Sequence, residues 1–203
     1  MQTRTYADLF SLVEALCGVT FASNETAKIK ALINRRAKRA YRSTHYWPRY
    51  LKVGEERDVS DNLIPYDETD LDSIDTFLRI HVTAPFQSAS AQEYEYTVGS
   101  GGATLIAGSS DPSSAFVTYK SQHAITYGDG GTETADIPIE WFDYMAHGAY
   151  SDFLRMEGQQ EKATLAESEA NEFLQDELMR VDEQHGTGVV STRILTHSNT
   201  QIR

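Results

Sequence analysis

Residues 138–184 read PIEWFDYMAHGAYSDFLRMEGQQEKATLAESEANEFLQDELMRVDEQ, and this stretch decides the fold. Apolar or small side chains recur along it at steps of mostly three or four residues, which is the spacing of one helix face. The stripe consists of Phe142, Ala146, Ala149, Phe153, Met156, Ala163, Ala166, Ala170, Leu174, Leu178 and Val181. Because Pro138 is tolerated in a first helical turn and Gly186 favours a helix end, the pattern predicts one long helix over residues 138–185.

The length of this helix raises a question of packing. About 46 residues form a helix of roughly 69 Å, whereas a compact domain of this chain length is only about 43 Å across. We therefore expect either a break, most readily at Gly158, or a projecting part that packs against neighbouring copies. Because alanines make up much of the stripe, the packing partner must come close, and the second alternative predicts a subunit interface at Ala163, Ala166 and Ala170.

Two helices are predicted near the N-terminus. Residues 5–17 form a short amphipathic pattern in which Thr5 and Asp8 make a capping box and Gly18 favours the end. Residues 24–46 form the second helix, which ends before the Trp-Pro pair at 47–48. We assign residues 1–49 to an N-terminal helical pair.

Between residues 50 and 137 the apolar pattern changes from a helical period to alternation, which is typical of strands. The glycine-rich turn GSGG at 99–102 predicts a hairpin. The predicted strands are residues 74–82, 94–98, 103–107, 115–121 and 124–128. We expect residues 50–137 to form a small antiparallel β module inserted between helices.

The order of elements predicts an α+β fold, namely a helical bundle of two N-terminal helices and one long C-terminal helix, interrupted by the β module. Residues 186–203, GTGVVSTRILTHSNTQIR, lack a helical period and predict an extended C-terminal tail. Its apolar residues Val189, Val190, Ile194 and Leu195 are able to add as a strand to a partner's sheet. Folding of the tail onto its own chain is the alternative.

Catalytic signatures are missing from the sequence. The glycine clusters lack a phosphate-loop pattern, no nucleophile elbow occurs, and the six histidines have no metal-ligand spacing. We expect no enzyme activity, no cofactor and no metal. The start of the chain does not resemble a signal peptide, and no stretch approaches 18 apolar residues, so we expect no membrane association.

Charge is distributed unevenly along the chain. The net charge is −12, which disfavours the whole molecule as a free nucleic-acid binder. Residues 26–54 carry nine basic residues and no acid, whereas residues 139–184 carry twelve acids and three bases. Opposite charges of equal size suit contacts between copies, and they predict Arg35, Arg39 and Arg42 at a subunit interface. Solvated helix faces and direct phosphate binding are the alternatives.

Three parts of the sequence resemble the head-to-tail connector proteins of tailed bacteriophages, also called adaptor or head-completion proteins. They are FSLVEALCG followed by ETAKIKALINRRAKRAYRSTHYWPRYL, the tyrosine-rich segments EYEYTV and FVTYKS, and IPIEWFDYMAHGAYSDFLRMEGQQEKA. The resemblance covers nearly the whole chain and concerns the pattern and order of elements. The β module is larger than in the smallest, mainly helical members.

The resemblance implies a structural virion protein located in the neck and assembled in the host cytoplasm. Such proteins form a ring, typically of twelve copies, beneath the portal protein, and join the DNA-filled head to a stopper, tail-tube or nozzle protein. DNA passes through the ring without sequence-specific binding, which an acidic wall favours because it repels phosphate. The C-terminal tail, here with Val189, Val190, Arg193, Ile194 and Leu195, is implied to bind the portal.

A second hypothesis is a soluble binding module. Tyr94, Tyr96, Tyr119 and Tyr127 in the β module are candidates for a platform that recognises a glycan or a host surface.

Overall fold

The computed structural model describes residues 3–86, 91–106, 112–128 and 136–199, with side chains described as far as residue 184. In chain order its elements are β1 (Thr3–Thr5), α1 (Tyr6–Cys17), α2 (Ser23–Arg42), β2 (Leu51–Asp58), β3 (Leu63–Pro65), β4 (Ile74–His81), β5 (Tyr96–Gly99), β6 (Gly102–Leu105), β7 (Ser114–Ser121), β8 (Asp136–Pro138), α3 (Ile139–Met156) and α4 (Gln160–Asn199). The mixed class with helices and small antiparallel sheets is confirmed. The chain divides into two compact units, Met1–Thr44 with Ile125–Arg203 and His45–Ala124. The sequence had predicted a β module at residues 50–137.

The first two helices begin and end close to the predicted positions. The Thr5 hydroxyl accepts a hydrogen bond from the Asp8 backbone N–H, and the Asp8 carboxylate accepts one from the Thr5 N–H, so the predicted capping box is confirmed. Gly18 caps α1 in the left-handed conformation, with φ of 68°. Helix α2 ends at Arg42, four residues before the predicted end.

The predicted long helix is broken at Gly158, whose φ is 77°. Helix α4 turns back and runs antiparallel to α3. Two contacts show this direction: the Ser151 hydroxyl donates to the Ala163 carbonyl at 2.8 Å, and His147 Nδ1 lies 3.3 Å from the Glu169 carboxylate. Of the two alternatives for this segment, the structure shows the break, with both halves packed together in one chain.

The alanine stripe is buried inside this pair of helices. Ala163 and Ala170 are completely buried and Ala166 is 5% exposed. Ala163 and Ala166 belong to a small core with Leu154, against which Tyr150 packs. Small side chains let α4 approach α3 closely, so these alanines leave no surface for a neighbouring copy. This corrects the prediction that Ala163, Ala166 and Ala170 lie at a subunit interface.

The end of the chain also differs from the prediction. Helix α4 continues to Asn199, through Gly186 and Gly188, where the sequence predicted an extended tail from residue 186. A glycine inside a helix costs only about 1 kcal/mol, and a helix that is already nucleated extends past such positions. The side chains of the predicted portal-binding residues lie outside the described residues.

Helix α3 is the centre of its unit. Its buried residues cover most of the helix surface, and α1, α2 and α4 each pack against it. They are Trp141, Phe142, Tyr144, Met145, Ala146, Gly148, Ala149, Ser151, Asp152 and Leu154. Burying a polar group is costly unless it is hydrogen-bonded, and the buried Ser151 and Asp152 side chains are both hydrogen-bonded.

The second unit contains two three-stranded antiparallel sheets, ordered β2-β7-β4 and β3-β6-β5. The predicted strands that became β4 and β7 are confirmed, and so is the hairpin of β5 and β6, in which Gly99 pairs with Gly102. The predicted strand at residues 124–128 is wrong, because the structure shows no strand there. Strands β2 and β3 were not predicted, since β2 mixes charged residues with glycine and β3 has only three residues.

Candidate functional site

One arginine joins three helices of the first unit. Arg36 on α2 is 2% exposed. Its Nε and Nη2 atoms each donate to the Asp152 carboxylate of α3 at 2.9 Å. Its Nη1 and Nη2 atoms donate to the Glu167 carboxylate of α4 at 2.9 and 2.5 Å. Both carboxylates are therefore held in bidentate pairs by a single guanidinium.

The sequence of α3 leaves room for this side chain. A Cβ atom at Gly148 would lie 2.8 Å from Arg36 Cδ and 2.9 Å from its Nε. Only glycine fits there unless Arg36 moves. The guanidinium also lies over the Tyr144 ring, 5.9 Å from its centroid, which adds a cation–π contact.

The pKa values show that all three groups are charged at neutral pH. Burial opposes ionisation of Arg36, but its hydrogen bonds to Glu167 and Asp152 raise its pKa above the usual value. Burial likewise works against the charge of both carboxylates, yet the hydrogen bonds from Arg36 keep the pKa of Asp152 and of Glu167 below the ordinary range. The cluster is an ion triad with its hydrogen bonds made, in which Arg36 and Asp152 are buried and Glu167 is half-buried.

Three more arginines surround the same two carboxylates. Arg35 lies 2.6 Å and Arg155 3.4 Å from Asp152, and Arg39 lies 3.4 Å from Glu167. Their side chains are 64%, 42% and 60% exposed, respectively. Four guanidiniums therefore meet two carboxylates, and the excess positive charge faces solvent on an otherwise acidic chain.

The predicted interface arginines thus have different surroundings. Arg35 and Arg39 pair with acids of their own chain, so part of the opposite charge on the two segments is neutralised within one monomer. Arg42 is exposed and makes no ion pair among the residues that the structure describes. The central role of Arg36 and Asp152 was not predicted from the sequence. The position of Arg36 in the sequence indicated its burial, because it lies beside Ile33, Ala37 and Ala40 on the apolar stripe of α2.

A groove of about 380 Å³ lies beside this cluster, between the end of α2 and the middle of α4. Arg39, Arg42 and Ser43 line one side, and Asn171, Leu174, Gln175 and Leu178 line the other. The groove therefore combines two exposed guanidiniums with an apolar floor and two side-chain amides. Such a surface is suited to a ligand that is both anionic and partly apolar.

A different face of α4 is acidic and carries two exposed apolar side chains. Leu165 is 73% exposed and Met179 is 57% exposed. Glu172 and Asp176 lie between them on the same face and are exposed as well. We call Leu165, Glu172, Asp176 and Met179 the outer stripe.

The second unit contains a buried arginine of its own. Arg57 is completely buried, and its Nη2 atom donates to the Glu55 carboxylate at 2.8 Å and to the Asp72 carbonyl at 2.6 Å. Its guanidinium also contacts the Tyr119 hydroxyl and lies over the Tyr119 ring. Lys52 pairs with the Asp72 carboxylate at 2.7 Å. These contacts hold the end of the acidic segment 67–75 against the sheet.

The structure separates the four tyrosines of the proposed recognition platform. Tyr119 and Tyr127 are completely buried. Tyr94 and Tyr96 are partly buried and pack against the core of the second unit. Tyr127 belongs to the first unit rather than to the β unit. The prediction of a four-tyrosine surface is therefore wrong for Tyr119 and Tyr127.

Within the described ranges, no three histidine, cysteine or acidic side chains come together as metal ligands. Across the same residues, none of the helices is both long and apolar enough to cross a membrane. A scan against known protein families found no matching family, and a search of curated proteins found no matching relative.

Proposed function

We propose that this chain is a structural virion protein, a head-to-tail adaptor that forms a ring of about twelve copies under the portal protein of a tailed bacteriophage. In this role it joins the DNA-filled capsid to the tail, lets DNA pass, and performs no catalysis. The proposed architecture is a helical bundle built from both ends of the chain, with the β unit as an insertion.

The observation that carries the proposal is the length of α4. Burial raises the pKa of Glu177, and the nearby charges of Glu140 and Asp143 at the start of α3 add to that effect, so α3 begins beside this part of α4. Helix α4 nevertheless continues to Asn199. Its last 18 or so residues, roughly 27 Å of helix, therefore lie beyond the length of α3. A segment of this length suits docking on another protein.

The charge of the chain supports the same role. The net charge is −12, and exposed acids follow one another along α4. An acidic surface beside the DNA path repels phosphate and gives DNA no tight binding site, whereas lysine and arginine contacts would release counterions and hold it. The charge of the buried Arg36 is neutralised within its own chain by Asp152 and Glu167.

In this proposal the C-terminal segment binds the portal, with Val189, Val190, Arg193, Ile194 and Leu195 as the contact residues. The partner on the other side of the ring is a stopper, tail-tube or nozzle protein. Because α4 is helical through most of this segment, we propose a helix docked in a groove rather than an added strand.

Truncation tests this proposal. A chain that ends at residue 186 should keep the fold of both units, as measured by circular dichroism and urea unfolding, and should no longer complement particles that lack the protein. A matched control replaces residues 187–203 by a glycine–serine segment of equal length, which should fail in the same way. Full complementation by the truncated chain would contradict the docking role.

A further inference from the structure

We propose that copies of this chain associate head to tail, with the outer stripe of α4 from one copy bound in the groove between α2 and α4 of the next. The inference rests on the proposed function in one respect, because it assigns the lateral contacts of the proposed ring. The occupant of the groove is a second copy of this chain.

The groove offers two cations that the chain itself leaves largely unused. Arg42 has no ion pair among the described residues, and Arg39 makes one long contact of 3.4 Å to Glu167, a carboxylate already held by Arg36. Both guanidiniums are exposed and lie three residues apart on α2. They border an apolar floor of Leu174 and Leu178.

The outer stripe has the complementary chemistry. Glu172 and Asp176 are exposed and make no ion pair among the residues with described side chains. They lie one helical turn apart, about 6 Å along the axis, which matches the spacing of Arg39 and Arg42 closely enough for two simultaneous pairs. Met179 follows on the same face and is placed to reach the apolar floor when the acids meet the arginines. Two charge pairs and one apolar contact would thus form together.

The two surfaces cannot satisfy one another within one chain. At about 100° per residue, the groove side of α4 and its outer stripe point in directions about 120° apart. A contact between them is therefore heterologous, so each copy that fills its groove leaves its own outer stripe free for the next copy. Such a contact continues around a ring when the rotation closes.

The charge of the chain favours a protein partner over nucleic acid. The groove lies partly on α4, whose exposed residues include acids such as Glu172 and Asp176. The whole chain is strongly acidic. Duplex DNA would meet this negative field, whereas a second copy brings two carboxylates of fixed spacing and an apolar side chain.

Charge-swap variants of the full chain test the proposal. One variant carries R39E and R42E, and the other carries E172R and D176R. We expect wild type to associate in sedimentation equilibrium at low ionic strength and at concentrations up to about 1 mM. Each variant alone brings like charges together, so its self-association should weaken by about tenfold or more. An equal mixture should restore association with alternating copies, because each altered surface then meets its complement.

Matched controls separate this contact from general charge effects. K28E with K38E changes the charge of exposed residues on α2 by the same amount as R39E with R42E. D67R with E95R changes the charge of exposed residues in the other unit by the same amount as E172R with D176R. Both controls should associate as wild type does. Because Arg39 also touches Glu167, the single variants R42E and D176R repeat the swap without altering that contact, and circular dichroism checks the fold of every variant.

Three outcomes would overturn the proposal. They are a wild-type chain that stays monomeric at 1 mM, variants that associate like wild type, and a mixture that stays dissociated. Loss of duplex DNA binding by R39E with R42E, with association unchanged, would assign the groove to phosphate instead.

The outcome of the charge swap can be distinguished from the outcome of tests of the proposed adaptor role. A ring in the neck of native particles would uphold the adaptor role even if the swap fails, and a restored mixture would uphold the contact even if the particles lack such a ring.

Discussion

Arg36 and Gly148 are matched across two helices, because the guanidinium stem of Arg36 occupies the space where a side chain at position 148 would begin. The contact places Arg36 between Asp152 of α3 and Glu167 of α4. One arginine and one glycine therefore fix how three helices meet. This relationship leads to the first three predictions.

Replacing Gly148 with alanine should destabilise the protein. The added Cβ atom lies 2.8 Å from Arg36 Cδ, so the arginine must move and its bidentate pairs are distorted. We expect a loss of about 2 kcal/mol in the free energy of unfolding, since breaking a buried pair costs about 3–5 kcal/mol and alanine returns about 1 kcal/mol of helix propensity. Urea unfolding measures the change.

A double-mutant cycle provides the control for G148A. In a chain that already carries R36A, the new Cβ atom meets no guanidinium, and G148A should be neutral or stabilising. An equal loss in both backgrounds would show that Gly148 matters for another reason.

Removing the charge of Arg36 alone should be more damaging than removing the whole triad. R36M leaves the buried Asp152 carboxylate and the half-buried Glu167 carboxylate without their main partner, and we expect a loss of about 3–5 kcal/mol. The triple variant R36M, D152L and E167M replaces the triad with apolar groups and should recover most of that loss. R35M is the matched control, because Arg35 is 64% exposed and should contribute less than about 1 kcal/mol. A triple variant less stable than R36M would contradict this account.

The pH dependence of stability follows from the two carboxylates. Their hydrogen bonds to Arg36 depress the pKa of Asp152 and of Glu167 below the ordinary values of 3.8 and 4.5. A depressed pKa contributes stability that is present above the ordinary value and is lost as the pH falls through the folded-state value. The difference in unfolding free energy between wild type and R36M should therefore be constant from pH 6 to 8 and shrink below about pH 4. A difference that grows in acid would contradict the assigned charges.

The second unit contains a test of its own at Gly102. Its φ is 142°, and a Cβ atom there would lie 1.9 Å from the Ile64 carbonyl oxygen of the neighbouring strand. G102A should therefore break the pairing of β3 with β6 and cost about 3 kcal/mol or more. Gly99 is the matched control, because it pairs with Gly102 in the same hairpin and an added Cβ atom meets nothing within 4 Å. Thermal unfolding of both alanine variants measures the difference, and equal midpoints would count against the steric argument.

Sequence patterns predicted the parts of the fold that depend on local chemistry. The capping box of Thr5 and Asp8, the end of α1 at Gly18 and the hairpin at Gly99–Gly102 each rest on residues close together in sequence. The break at Gly158 was one of two open alternatives. A broken helix and an unbroken projecting helix have the same apolar stripe. Periodicity shows which face of a helix is buried, but it does not show which element covers that face.

The candidate site was harder to predict because it depends on distant residues. Arg36 meets Asp152 and Glu167 across separations of 116 and 131 residues. From the charges of the two segments we predicted that the basic residues of α2 contact the acidic residues of a neighbouring copy. The structure instead pairs several of these residues within one chain. Strand β2 was missed because its charged residues hide the apolar alternation, and the burial and pairing of Arg57 depend on contacts that only the folded sheet creates.

The measurement that tests the proposed adaptor role most directly is cryo-electron microscopy of particles from a culture that produces this protein, with the chain marked by a bound antibody fragment. The account predicts fragments in one ring at the neck, with about twelve copies around a channel wide enough for duplex DNA and the C-terminal ends of α4 against the portal. Fragments elsewhere on the particle, or no fragments on any particle, would contradict it.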